Sequence, residues 1–242
     1  MAPLEAVLFD YGDTLVSLEN AEAAFLASQR VFLDALPAPG IELEPFHERV
    51  TELLRAEFAR TAADYREVDY AGLVREALAE RGVAPPAEDL HAAIVAQIHA
   101  WNPARKLHPK AHEVVDELRA DGLRVGYVSN TFDPPEVLLE VIRSEGMLER
   151  ADAVVLSSEV GYRKPSPVIY EEALRRMGAA GPSTLFVGDR VLEDVIGPGR
   201  EGMSTCLATW FRVDGGDHAL ADAVADDLPD VLGVVDRLRS RV

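Results

Sequence analysis

Apolar positions along this chain follow two periods that change over at defined points. The run Val7-Leu8-Phe9 is short and continuous, and it stops at Asp10. That is the pattern of a strand buried on both faces, as in a parallel sheet. After Leu15 the spacing turns helical and stays so. Phe25, Leu26, Val31, Phe32 and Leu33 mark a helix over 21–36, which Pro37-Ala-Pro39-Gly40 ends. Phe46, Val50, Leu53, Leu54 and Phe58 mark a second helix over 44–60. A third covers 70–81 and is closed by Gly82. A fourth covers 87–100, opens after Pro85-Pro86, and is followed by Asn102-Pro103. No strand-like alternation appears inside this block.

From Leu107 the character changes. A helix over 109–120 ends at Asp121-Gly122. Strands over 124–129, 153–156, 184–187 and 204–208 are separated by helices over 134–145, 165–177 and 191–201. Such alternation implies βαβ units and a parallel sheet. A short strand at 223–227 and a helix over 228–238 close the chain. The expected fold is α/β, a Rossmann-like parallel-sheet core with an inserted all-helical cap domain. Residues 1–16 and 106–242 form the core, and 17–105 form the cap, inserted directly after the first strand. The insert joins at the carboxyl ends of strands, where open α/β sheets bind ligands. It is therefore placed to act as a lid.

Composition narrows the partners. The chain has 242 residues, 48% of them apolar, which suits one large core or a core plus a smaller insert. Its net charge of -18 argues against nucleic acid and against an anionic membrane surface. A small anionic substrate stays open, because a site can gather local cations or a metal. Met1 to Glu5 lacks the start of a signal peptide, and no apolar run approaches the roughly 18 residues of a membrane span. The single cysteine, Cys206, has no internal disulfide partner and is expected to be a buried small hydrophobe. These features lead to the expectation of a soluble cytoplasmic protein and leave the oligomeric state open.

Four predicted strand ends carry chemistry to one sheet edge. The first strand ends at Asp10, followed by Gly12, Asp13 and Thr14. The second core strand ends in Ser129-Asn130-Thr131. Gly161-Tyr-Arg-Lys164 opens a helix after the third, and the fourth ends in Gly188-Asp189-Arg190, with Asp194 on the next helix. Each alone reads equally as a turn, a cap or a solvated residue. Together they supply a nucleophile, hydroxyl and amide donors, a cation and metal-binding carboxylates, the set that phosphoryl transfer needs. Of 24 basic residues only Lys106, Lys110 and Lys164 are lysines. A lysine directly after Arg163 therefore suggests a position that needs a compact point charge.

These four ordered motifs resemble those of the haloacid dehalogenase (HAD) superfamily, with a helical cap inserted after the first. The resemblance spans the whole chain. It implies that Asp10 is the nucleophile that becomes an aspartyl-phosphate. It also implies that Thr14, Ser129 and the amide of Asn130 bind phosphate, and that Lys164 steadies nucleophile and phosphate. Mg²⁺ would be held by Asp10, the carbonyl of Gly12, Asp189 and Asp194. Two carboxylates beside a phosphate repel it, so a divalent cation agrees with the chemistry.

One position departs from the pattern. Phosphatases of this superfamily usually carry an acid/base aspartate two residues after the nucleophile, where this chain has Gly12. Asp13 comes one residue later and would face the other way in an extended backbone. Either a turn at Gly12 re-aims Asp13 into the role, or Asp13 only bonds the turn. His108 and His112 read as a solvated face; the segment 64–70, which mixes aromatic and charged residues, reads equally as a substrate contact or an ordinary interhelical loop. Trp101 and Trp210 read as core or hinge packing. The leading function is a Mg²⁺-dependent phosphatase acting on a small phosphorylated metabolite. Two alternatives are a metal-free 2-haloacid dehalogenase and a non-catalytic binding protein on the same scaffold.

Overall fold

The computed structural model describes residues 3–37 and 40–240. Ala38 and Pro39 of the expected helix stop, and residues 1, 2, 241 and 242 of the expected core, lie outside the described residues. The chain opens with β1 (Ala6–Asp10) and β2 (Val16–Leu18). Helices α1 (Ala21–Ala35), α2 (Leu43–Arg60), α3 (Tyr70–Ala79) and α4 (Ala87–His99) follow. Then come β3 (Arg105–Leu107), α5 (Ala111–Ala120), β4 (Arg124–Ser129), α6 (Pro135–Ser144) and β5 (Ala153–Leu156). A short α7 (Ser157–Val160), α8 (Pro167–Met177) and β6 (Thr184–Gly188) come next. After a π-helical turn (Val191–Ile196), the chain ends with α9 (Gly197–Arg200), β7 (Ser204–Ala208), β8 (Ala223–Ala225) and α10 (Asp230–Arg239).

The main sheet has six strands in the order β5-β4-β1-β6-β7-β8. Each neighbouring pair runs parallel. Its continuous apolar runs are explained by burial on both faces. Val7 and Phe9 point into one layer with residues of α5, α6 and α10, while Ala6 and Leu8 point into the other with α8. The first block of helices packs around its own core, which includes Phe32, Phe46, Val50, Val74 and Ile94. Val31 and Phe58 are exceptions to their predicted apolar faces, at 38% and 39% exposed.

The structure adds elements the periodicity does not announce. β2 and β3 pair antiparallel, Val16 with Leu107 and Leu18 with Arg105. The chain thus crosses into and out of the helical block through a two-stranded ribbon. Each strand has only three residues, too few for a period to register. The predicted helix over 165–177 begins instead at Pro167, with Ser166 extended before it. Proline at the first helical position loses no hydrogen bond there. The predicted helix over 191–201 is broken by Pro198, which lacks an N–H and crowds the carbonyl four residues back. The result is the wider π-helical turn followed by the short α9. No helix among the described residues is long and apolar enough to cross a membrane.

Gly197 sits at that junction, and a Cβ there would lie 2.2 Å from the Tyr170 hydroxyl. Gly197→Ala is expected to lower the unfolding free energy by about 1–3 kcal/mol, as overpacking does. Gly199→Ala, with nothing within 4 Å of the added carbon, is expected to leave it unchanged or slightly raised. Urea denaturation of the two variants checks the contrast; equal stabilities would contradict it.

Candidate active site

Asp10 ends β1, and the chain there must turn at once. Val16 N–H and Leu15 N–H both donate to the Tyr11 carbonyl at 3.0 Å, and Asp13 N–H donates to the Val16 carbonyl at 2.7 Å. Asp13 takes a left-handed backbone, φ 58°, which re-aims its side chain relative to an extended strand. Asp10, Gly12 and Asp13 then line one cavity together with Ser129 and Asn130 from the end of β4. Thr14 does not line it. It is fully buried, and its hydroxyl donates to Asp10 Oδ2 at 3.1 Å, so it orients that carboxylate.

Behind Asp10 lies the ammonium of Lys164, only 1% exposed. Nζ donates to Asp10 Oδ1 and to Asp194 Oδ1, both at 2.6 Å. Its main chain is pinned as well. Lys164 N–H donates to Asn130 Oδ1 at 2.7 Å, and Asn130 Nδ2 donates back to the Lys164 carbonyl at 3.2 Å. Asp194 also accepts from the Arg190 N–H at 2.9 Å, through Oδ2. The close approach of Asp194 to the end of β6 needs Gly188, where a Cβ would fall 2.4 Å from the Asp194 carboxyl carbon.

The charges do not balance. Burial raises the Asp10 carboxyl well above the usual carboxylate range, with Lys164 opposing and Asp194 adding to the rise. Burial raises Asp189 too, followed by the charges of Asp10 and Asp194. Burial pulls the Lys164 ammonium down, but Asp10 and Asp194 more than offset this and hold it above its ordinary value. Asp189 Oδ2 is buried without a hydrogen-bond partner. Arg212 Nε lies 3.2 Å from it but off hydrogen-bond alignment. Oxygens of Asp10, Asp189 and Asp194 all lie within 4.8 Å of one another. A buried cluster of hard oxygen donors, one of them unpaired, fits a hard divalent cation.

The structure thus brings Asp10, Lys164, Asp189 and Asp194 together, with Thr14 behind Asp10 and Gly12, Asp13, Ser129 and Asn130 on the cavity wall. Sequence reasoning passed over several charged groups here. Arg190, Glu193, Arg163, Arg105, Glu67 and Asp133 also line the cavity. Arg212 follows β7, whose carboxyl end lies on the same edge as the motifs. That fifth strand end was the available signal. Arg105 is held by Glu145, Nε to Oε1 at 2.8 Å, and the Tyr11 hydroxyl donates to Glu145 Oε2 at 2.5 Å.

One expectation needs correction. His108 is not on a solvated face. It is 7% exposed, with Nε2 3.0 Å from Asp227 Oδ1 and its ring edge-on to Phe211. Segment 64–70 leads from α2 to α3, and its Glu67 and Tyr70 line the cavity. Arg66 bridges Tyr162 antiparallel, Glu67 N–H donates to the Gly161 carbonyl at 2.9 Å, and Arg163 N–H donates to the Tyr65 carbonyl at 2.9 Å. Arg163 Nη1 donates to Thr61 Oγ1 at 2.9 Å and to the Arg66 carbonyl. Cys206 is buried, as its surroundings in sequence led one to expect.

Comparison with known proteins bears on the arrangement. The family profile described as haloacid dehalogenase-like hydrolase matches residues 4–199. A glyceraldehyde 3-phosphate phosphatase of Methanothermobacter thermautotrophicus is 30% identical over 210 residues, covering 84% of this chain and 85% of that protein. One of the same name from Methanopyrus kandleri is 30% identical over 231 residues, covering 94% and 91%. Among solved structures, a 2-haloacid dehalogenase of Pseudomonas syringae superposes with a TM-score of 0.70 at 20% identity, covering 97% of this chain and 99% of its own. That likeness concerns the fold alone. By its profile match and its relatives, the chain belongs to the haloacid dehalogenase-like hydrolase family.

Proposed function

We propose that the protein is a Mg²⁺-dependent phosphatase that hydrolyses a small phosphorylated metabolite through an aspartyl-phosphate on Asp10, with residues 17–105 acting as its cap. The observation that carries this reading is the buried group of Lys164, Asp10 and Asp194, with Asp189 beside it holding one unpaired oxygen. The relatives named as glyceraldehyde 3-phosphate phosphatases support it. The presence of Asp189 and Asp194 counts against a metal-free dehalogenase, which would not need them.

Asp10 is held for attack, one oxygen by Lys164 and the other by Thr14. Its oxygen forms a bond to phosphorus as the bond to the leaving oxygen breaks. Ser129 and the Asn130 amide receive the phosphoryl oxygens, and Lys164 offsets their charge. Asp10, Asp189, Asp194 and the Gly12 carbonyl would hold Mg²⁺, which supplies the charge that lets a phosphate approach carboxylates. Water then hydrolyses the acyl phosphate and restores Asp10. Asp13 lines the cavity and is the motif's remaining group for exchanging a proton with the leaving oxygen.

Three outcomes follow from this scheme. Asp10→Asn is nearly isosteric but lacks a nucleophile, so kcat should fall at least a hundredfold. A folded variant with more than a tenth of wild-type activity would refute the assignment.

Metal binding should show itself without turnover. Protons and the cation compete for the same carboxylates, whose folded-state affinity for protons is raised. The raised carboxyl pKa values of Asp10, about 7, and Asp189, about 8, make the metal-free protein lose stability as pH climbs from the unfolded value of about 4 through this range. Thermal stabilisation by Mg²⁺ should therefore grow over that window and be largely lost in Asp189→Ala. Melting curves with and without Mg²⁺ at both ends of the range test this; a pH-independent effect, or one unchanged in Asp189→Ala, would count against it.

The third concerns the leaving group. A Cβ at Gly12 would meet nothing within 4 Å, so Gly12→Asp fits. General acid catalysis contributes about 10²–10⁴-fold, most for poor leaving groups. If Asp13 acts as the acid, Asp13→Asn should slow alkyl phosphates far more than aryl phosphates, and Gly12→Asp should add little. If it does not, Gly12→Asp should speed alkyl phosphates at least tenfold. Single-turnover rates across both series decide; if neither variant changes the alkyl-to-aryl ratio, the proton comes from elsewhere.

A further inference from the structure

The cavity above Asp10 has a volume of about 490 Å³. Cavities of roughly 300–1,000 Å³ hold drug-sized ligands, well above a triose. Its wall is unusually rich in rings for a chain only 7% aromatic. Phe25, Phe58, Tyr70 and Trp101 come from the helical block, and Phe132 from the segment after β4. Tyr70 and Phe132 stack with centroids 4.8 Å apart at 25°, and Phe25 lies 5.8 Å from Trp101 at 34°. Phe58 is 39% exposed, yet it sits in the cleft with the Arg163 guanidinium 5.0 Å from its ring centre. A large ring left open in a cavity is a surface for a ligand to cover.

Several polar groups of the wall are engaged already. Gln97 Nε2 donates to the Tyr70 hydroxyl at 2.8 Å, and that hydroxyl donates to Gln97 Oε1 at 3.0 Å. Arg105 is taken by Glu145, and Arg163 by Thr61 and the Arg66 carbonyl. Asn102, Ser129 and the unpartnered Glu67 Oε2 remain to meet polar atoms at the edge of a ligand. The carboxyl groups of Glu67 and Asp133 also line it. Arg163, bonded only to neutral groups, and Arg190 share the wall with these acids. Flat apolar faces reward a ring with both area and stacking.

We infer that the alcohol half of the substrate is a ring-bearing group that lies against Phe58, Tyr70, Trp101 and Phe132, and is not a bare three-carbon chain. The inference rests on the phosphatase reading and narrows it. It sets this chain apart from the substrate in the names of its glyceraldehyde 3-phosphate phosphatase relatives.

The test uses substrates with matched alkyl leaving oxygens, so that chemistry at phosphorus does not decide the ranking. With Mg²⁺ present, kcat/KM is measured for 2-phenylethyl phosphate and thymidine 5′-monophosphate, and for glyceraldehyde 3-phosphate and 3-phosphoglycerate. The ring-bearing pair should exceed the other pair at least tenfold. Phe58→Ala, a change at an exposed side chain that spares the core, should cut the ring-bearing values about fivefold or more, mainly through KM. It should leave glyceraldehyde 3-phosphate within twofold, and Phe58→Tyr should restore the ring-bearing values. Turnover that favours glyceraldehyde 3-phosphate, or a Phe58→Ala loss shared by all four substrates, overturns this inference and leaves the phosphatase reading standing. No turnover of any of the four, nor of a general phosphate panel, overturns both.

Discussion

Lys164 carries its ammonium into a place that water does not reach, and the rest of the site is arranged around that charge. An isolated ammonium at 1% exposure would be strongly unfavourable. Two carboxylates at 2.6 Å compensate it, but they arrive with a third, Asp189, close by. The cluster is left with more negative charge than Lys164 can match. Arg212 Nε, 3.2 Å from Asp189 Oδ2, offsets part of this surplus from the margin, while Arg190 engages Asp194 through its main-chain N–H. A buried cluster of carboxylate oxygens with such a surplus fits a hard divalent cation.

The sheet order makes the cluster possible. β1 lies between β4 and β6, with Asp10 opposite Val128 and Phe9 opposite Val187. Asp10, Ser129 and Gly188 therefore emerge side by side from three adjacent strands. Lys164 comes from one strand further out, beyond β5, and has to be drawn inward. Asn130 does this by gripping the Lys164 main chain through both its N–H and its carbonyl. On the other side Gly188 lets Asp194 close in, and the π-helical turn caused by Pro198 carries Asp194 toward Lys164. The two carboxylates that flank Lys164 thus reach it by different routes, one at a strand end and one from an irregular helix.

What was legible in the sequence follows from how local each signal is. The strands of the sheet read clearly because both their faces are buried, and the four motif ends read clearly because each follows such a strand. The ribbon of β2 and β3 did not, because three residues carry no period. The π-helical turn depended on one proline whose effect on register is a matter of packing. His108 looked exposed because its partners, Asp227 and Phe211, are distant in sequence and come from the far edge of the sheet. The aromatic wall was hidden for the same reason. Phe58 fits an ordinary amphipathic helix by spacing, and only the fold shows that its face opens on the cavity and not on the core. Arg212 was missed because β7 was read as structure and its end was not followed.

The contacts between the helical block and the core explain how substrate recognition and chemistry meet. The block joins the core covalently only at the β2–β3 ribbon. It is tied a second time where Arg66 and Glu67 pair with Gly161 and Tyr162, and where Arg163 reaches Thr61 and the Arg66 carbonyl. That second tie ends one residue before Lys164. Glu67 and Arg163 are also part of the cavity wall. A displacement of the block that parted 66–67 from 161–162 would have to break the Arg163 hydrogen bonds as well, and would pull on the segment that Asn130 grips. Glu67 and Arg163 of the cavity wall lie in the segments that tie the block to the core, and Arg163 directly precedes Lys164, so the position of the block and the position of Lys164 are mechanically linked.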